Sequence, residues 1–323
     1  MAQFVRVVAL AGLWIVLIAH QLRAFEQPQA ATSDRPAPLN ADRADAVPWR
    51  TDYRAALAEA RQRRAMVLLW FIDPERPDEN EALESKLFRH RDVSALLDRV
   101  VPVKLSEDAA ISLQPADDPR TTTTDHPQTE IRQLRLLDHP AFEEMLGQTG
   151  VALIDLRDAA SPHFHEVVSV LPFGDRRITP RQLAALLDLP DGSLTQRTLI
   201  WAVRTHPESP QSASCEASPL LMHEAASHAA YQASLGTGGH HQWDERFHRI
   251  NQRLPDGLLA QEICAESWPG QPLVAAAEEC VHSWRQSRGH WDAVRSQHPL
   301  YGYDMRRSAG GIWFATGIFG RKH

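Results

Sequence analysis

Three short segments carry side chains that could meet to do chemistry. "GTGGHHQWDERF" places His240 and His241 behind a glycine-rich loop, "AQEICAESW" supplies Glu262 and Glu266, and "SWRQSRGHW" supplies His290. Their separation along the chain is no objection, because sites are assembled from distant segments. Two neutral imidazoles with a carboxylate or a water make a tetrahedral site for zinc or another divalent metal, with one position open. Such a site could polarise a carbonyl or activate a water, with Glu262 as the base. The plainer reading makes His240 and His290 polar residues of a cleft that hydrogen-bond one another's loops. Gly289 reads as the residue that closes a helix. It would set His290 at a helix C-terminus, whose partial negative charge favours an imidazolium.

The neighbouring residues have blander readings. His228, on a helix face of small residues, reads as a packed core histidine. Trp268, Trp284, Trp291 and Trp313 read as core, while Glu266 and the Glu278–Glu279 pair read as solvated. Arg246, in "DERF", reads as an anchor between its loop and an acidic partner.

The elements that must position these residues follow from periodicity. "RTLIWAVRTH", "SPLLMHEAASHAAYQASLG" and "QPLVAAAEECVHSWRQSRG" read as helices; the second is framed by Ser218, Pro219 and Gly236. "YGYDMRRSAGGIWFATGIFG" reads as two strands around a glycine-containing turn. Helices before a terminal hairpin predict an α+β sandwich. The preceding residues alternate in period. Helical "DYRAALAEARQRRA" and "NEALESKLFRHRDVSALLDR" interleave with apolar "MVLLWFID", "VVPVKL", "VALIDLRD" and "HEVVSVLPF", then "TPRQLAALLDLP". The order β-α-β-α-β-β-α after a leading helix predicts an α/β unit with a mixed, mostly parallel sheet.

The N-terminus gives a compartment. Arg6 precedes an apolar run, Val7 to Ala19, that is short for a membrane span and suits an export signal. Residues 1–24 therefore read as a signal peptide or an N-terminal membrane anchor, and the rest as secreted, periplasmic or otherwise extracytoplasmic. Residues 25–48, rich in proline and alanine, read as a disordered tether. The net charge of −7 argues against a nucleic-acid partner. An oxidising compartment permits one disulfide among Cys215, Cys264 and Cys280, for which Cys264–Cys280 is the expected pair; three buried free thiols are the alternative.

Two families are resembled. The order of elements over Trp49 to Leu189 resembles the thioredoxin fold. Its redox chemistry is missing, because the place of the Cys-x-x-Cys pair reads "FIDPERPDENEAL" and the position of the cis-proline reads Thr149–Gly150. A thiol–disulfide oxidoreductase is excluded for this half. The last third resembles the CAP superfamily, or SCP domain, of cysteine-rich secretory and pathogenesis-related proteins. The matching pieces, in the family's order, are "SHAAYQA", "GGHHQW", "QEICAE", "WRQSRGH", "YGYDM" and "GIWFATGIFG". The resemblance implies an α-β-α sandwich whose cleft carries a His-Glu-Glu-His tetrad able to hold a divalent metal through its two histidines. Carried over, the histidines fall on His240, with His241 one step off, and on His290, and the first glutamate falls on Glu262. The second glutamate falls on Ser287 and the asparagine after the first on Ile263, so the tetrad is incomplete.

The expected organisation is a thioredoxin-like domain over 49–192 and a CAP-like domain over 195–321. The expected function is a non-enzymatic exported module that binds a protein, lipid or small molecule in a cleft lined by His240, His241, Glu262, Ser287 and His290. The competing reading is a metal-dependent peptidase or esterase using His240, Glu262 and His290. A third would be a redox partner using Cys264 and Cys280.

Overall fold

A computed structural model describes residues 46–113 and 132–322. The signal or anchor expected for 1–24, nearly all of the tether expected over 25–48 and the threonine-rich insertion at Thr121–Thr124 lie outside the described residues. Among the described residues, no helix is long and apolar enough to cross a membrane.

The first sheet forms as the alternating periods predict. Helix α1 (Tyr53–Arg63) starts where the Asp52 carboxylate accepts the Ala55 N–H at 3.0 Å, and it ends at Arg64 in the left-handed region. Strand β1 (Met66–Ile72) is buried almost throughout. The sequence predicts one long helix next. Instead α2 (Pro77–Leu83) widens into a π turn over Glu84–Phe88, and His90 adopts an extended backbone and caps a separate α3 (Arg91–Leu97). Strand β2 (Val100–Ser106) follows, then a small antiparallel ribbon of β3 (Ala110–Leu113) and β4 (Arg132–Arg135), a 3-10 turn at Pro140–Met145, β5 (Gly150–Ile154), β6 (Val167–Pro172) and α4 (Pro180–Leu187). The strand order is β2-β1-β5-β6. Only β1 and β2 are parallel; β5 runs antiparallel to both its neighbours. The mostly parallel sheet is therefore corrected. Parallel neighbours need a helical crossover, which α2 and α3 provide between β1 and β2, whereas β5 and β6 are joined by a loop alone.

The second sheet is built from the last third. Helix α5 (Leu194–Thr205) begins with a capping box in which Ser193 and Gln196 exchange bonds. It is followed by β7 (Glu216–Ala217), α6 (Pro219–Leu235), α7 (Trp243–Asn251), β8 (Leu258–Glu266), α8 (Leu273–Gln286), α9 (Arg288–Arg295), β9 (Leu300–Arg307) and β10 (Trp313–Lys322). The order is β7-β9-β10-β8. Helices α6 and α7 cover one face, and α5, α8 and α9 the other. The α6 backbone lies directly on β9: a Cβ at Gly302 would stand 2.1 Å from the Leu221 carbonyl carbon.

Helix α5 packs on both β6 and β9, and a single apolar core runs through both sheets. The Arg197 guanidinium, fully buried, donates from Nε to Ser169 Oγ at 2.8 Å. It also donates to the carbonyls of Leu186, Leu189 and Pro190 at 3.4, 3.0 and 2.7 Å. Thr195 donates to Asp304 Oδ1 at 2.6 Å, fixing the start of α5 to the middle of β9.

Three local expectations are corrected. The cysteines are free thiols, so Cys264–Cys280 is not a disulfide. Alternation along β8 turns Cys264 toward α6, where its register partner Thr316 bonds Gln232, while Cys280 sits with Ile263 and Ala265 in the core on the other face. Gly289 does not close a helix. The chain turns at Ser287, and His290 is the third residue of α9, near a helix N-terminus rather than a C-terminus. Trp284, Trp291 and Trp313 are core, but Trp268 is 67% exposed in the turn between β8 and α8.

Candidate functional site

The site grows from one carboxylate. Glu262 points from β8 into the layer between the sheet and helices α6 and α7, and it is buried. Buried carboxylates need partners, and two arrive from the segment after α6. Arg246, on α7, donates Nη2 to Glu262 Oε2 and Nη1 to the His241 carbonyl. His240 Nδ1 lies 3.0 Å from Glu262 Oε1.

Local chain geometry aims these groups. Gly236 ends α6 in the left-handed region, and Gly239 has φ +142°, which an L side chain resists. The loop between them is pinned to α6. Gly239 N–H donates to Gln232 Oε1 at 3.0 Å, and the Gly239 carbonyl lies 2.9 Å from His228 Nε2. Gln232 in turn donates to Thr316 on β10 at 2.9 Å. His228 and Gln232, one helical turn apart on α6, thus tie the loop to the sheet.

Two further donor atoms crowd the same carboxylate oxygen. His228 Nε2 and Cys264 Sγ each stand 3.7 Å from Glu262 Oε1, and Cys264 Sγ is 3.8 Å from His240 Nδ1. Donor atoms of His228, Glu262 and Cys264 all lie within 4.8 Å of one another. His290 approaches from α9, its ring centroid 6.1 Å from that of His240. The group therefore descends from exposed His240 and half-buried His290 to buried Glu262, Cys264 and His228.

Titration follows from burial and neighbours. Burial alone would raise the Glu262 carboxyl, but its hydrogen bond with His240 and the Arg246 guanidinium hold it below its usual value. Burial pushes His228 and His290 down, toward neutral imidazoles. Burial also drives the Cys264 thiol well above its ordinary range, and the Glu262 charge adds to this. Glu262 is thus a stable anion with both oxygens engaged, which makes it a weak proton acceptor for catalysis. The raised Cys264 pKa favours the thiol over the thiolate, the nucleophilic form. Cys264 and Cys280, on opposite faces of the sheet, do not meet as a redox pair.

Of the sequence-predicted residues, the fold brings His240, Glu262 and His290 together. The His241 ring makes no contact with Glu262 but stands beside His228: Nε2 lies 3.2 Å from the Thr237 carbonyl, and its centroid is 6.0 Å from that of Tyr231 and 6.3 Å from that of His228. Ser287 serves the turn from α8 to α9 through its backbone, with its N–H on the Trp284 carbonyl and its carbonyl receiving Trp291 N–H. Glu266 is exposed against Gly238. Arg246 does anchor its loop to an acidic group, and that group is Glu262. Two members of the cluster are not assigned by the sequence reading, which pairs Cys264 with the wrong cysteine and gives His228 to packing. The signal for both is spacing: Glu262 and Cys264 are two apart on a strand, and His228 and Gln232 four apart on a helix.

The donor set suits a divalent metal, which neutral imidazoles and a fixed carboxylate bind readily. His240 and His290 could offer ring nitrogens where they reach solvent, with buried Glu262 beneath them.

Neither a protein-family model nor a curated protein matches the chain. Among solved structures the chain is similar to an outer surface protein from Borrelia burgdorferi, at 19% identity over 34% of this chain and 78% of that one, with a TM-score of 0.28. A likeness of that size carries no argument about fold or activity.

Proposed function

We propose that the chain is an exported, non-catalytic binding protein: a CAP-like domain holds a ligand at the His240–His290 rim, and a thioredoxin-like domain without redox cysteines serves as its scaffold. The observation that carries this reading is the engagement of Glu262. A hydrolase built on His240, Glu262 and His290 needs a carboxylate free to take a proton. Here Arg246 holds one oxygen and His240 the other. What remains accessible is a pair of imidazoles above a fixed anion, which recognises a ligand without transforming it. The strand order of the first sheet supports the thioredoxin-like assignment, and helices on both faces of the second support the CAP-like one. The apolar run Val7–Ala19 supports export or membrane attachment.

The test uses the purified full chain. Casein and p-nitrophenyl acetate should be turned over no faster than by His290→Ala. Organic-solvent extracts analysed by mass spectrometry should release a molecule from the wild type that is lost from the His240→Ala/His290→Ala double variant. Turnover that His290→Ala abolishes, or extracts identical for the two proteins, would overturn the reading.

A further inference from the structure

We propose that His228, His240, Glu262 and Cys264 form a site for a thiophilic divalent cation of the zinc class, set below the cleft floor rather than between His240 and His290. This site shares a wall of the molecule with the binding rim. The two share His240, but the metal site needs no organic ligand at the rim.

Donor-atom spacing points to the cation. In a tetrahedral zinc site with bonds of about 2.0–2.3 Å, neighbouring donors stand roughly 3.3–3.7 Å apart. Around Glu262 Oε1 the three other donors lie at 3.0 Å (His240 Nδ1), 3.7 Å (His228 Nε2) and 3.7 Å (Cys264 Sγ). Cys264 Sγ to His240 Nδ1, at 3.8 Å, is a further edge of the same figure. The donors of His228, Glu262 and Cys264 thus stand within 4.8 Å of one another, and His240 Nδ1 adjoins two of them.

The elements that supply them are rigid. Glu262 and Cys264 share one face of β8, and His228 stands on α6, which Gly302 seats on β9. Only His240 comes from a loop, and Gln232 pins that loop through the Gly239 N–H. Arg246 stands behind the carboxylate. It occupies Glu262 Oε2 and so directs Oε1 inward as a single-oxygen ligand. The thiolate and the carboxylate together match a dication. His290 lies outside this set, its ring centroid 6.1 Å from that of His240.

Binding balances simply. The metal–sulfur bond replaces the Cys264 S–H bond and one proton leaves to solvent. His228 and His240 each present a ring nitrogen, their remaining proton residing on the other nitrogen of the ring. The Gly239 carbonyl and Glu262 Oε1 give up the hydrogen bonds they held with these rings.

Cobalt(II) is the probe, because thiolate ligation gives it an intense charge-transfer band in the near ultraviolet. Metal-free full-length protein titrated with cobalt should show this band saturating at one equivalent, and added zinc should abolish it. Cys264→Ser should remove the band and weaken binding at least tenfold. His240→Ala, at a half-exposed position that tolerates truncation, should weaken binding at least tenfold while the remaining complex keeps the band. His290→Ala should leave both band and affinity as in the wild type. Saturation without the band, no saturable binding, or loss of binding in His290→Ala together with retention in Cys264→Ser would overturn the proposal. Failure of the extraction test above would leave these results untouched.

Discussion

Strands β1, β5 and β6 bury apolar side chains on both faces, broken only by Ser169, whereas β8 buries Ile263 and Ala265 on one face and Glu262 and Cys264 on the other. In the first sheet polarity is confined to structural duty. Where a redox thiol would sit after β1, the Asp73 carboxylate accepts Glu75 N–H at 2.9 Å and the Asp73 carbonyl accepts from Asn80 at 2.6 Å, forming a turn and nothing more. In the second sheet a buried carboxylate, two imidazoles, a thiol and a guanidinium share one layer. The difference teaches that a site here is recognised by buried polar groups in excess of those the backbone requires. The first half buries charges too, but as separate ion pairs, Glu84 with Lys104 and Asp155 with Arg157.

The comparison can be broken first at the helix that joins the two sheets. Arg197→Ala leaves the Leu186, Leu189 and Pro190 carbonyls without their donor and opens a cavity, which should cost about 3–5 kcal/mol in urea unfolding. A single transition lowered by that amount fits one cooperative body. Two well-separated transitions in the wild type would show that each sheet stands alone.

A second test uses Asp304. Burial pushes its carboxyl up to about 6, against the opposing pull of Arg306, Thr195 and the Met305 N–H. The folded value lies above the unfolded one, so folding favours the protonated form. That stabilisation is complete below about pH 4 and is lost as pH rises through about 6. Asp304→Asn should therefore gain stability relative to the wild type as pH rises from 4 to 7, by roughly 2–3 kcal/mol. A difference that stays flat with pH would place the strain elsewhere.

The smallest effect belongs to Trp268. With most of its surface in water, Trp268→Ala should shift stability by less than about 0.5 kcal/mol. A larger loss would mean that this turn is part of the core after all.

Much of the architecture is legible in the sequence, because continuous apolar runs and 3.6-residue stripes reflect burial directly. Element boundaries are less so. The break at His90 depends on an extended backbone at one residue, and the second helix at Arg288 on a turn at Ser287; neither leaves a compositional mark. The grouping of His240, Glu262 and His290 follows from the resemblance of their three segments to the CAP order, since no one segment shows where the chain brings it. The place of Cys264 is not, because counting cysteines ignores which face of a strand each occupies. Alternation along "QEICAE" contains that information.

The seating of α6 has a reach beyond packing. At Gly302 there is no room for even one methyl group between strand and helix, so the helix rests on bare backbone. That helix carries His228 and Gln232, so the gap between imidazole and carboxylate is gauged by an atom that is missing from a distant strand. Positions of this kind never touch a ligand, yet they set the depth at which one can be held.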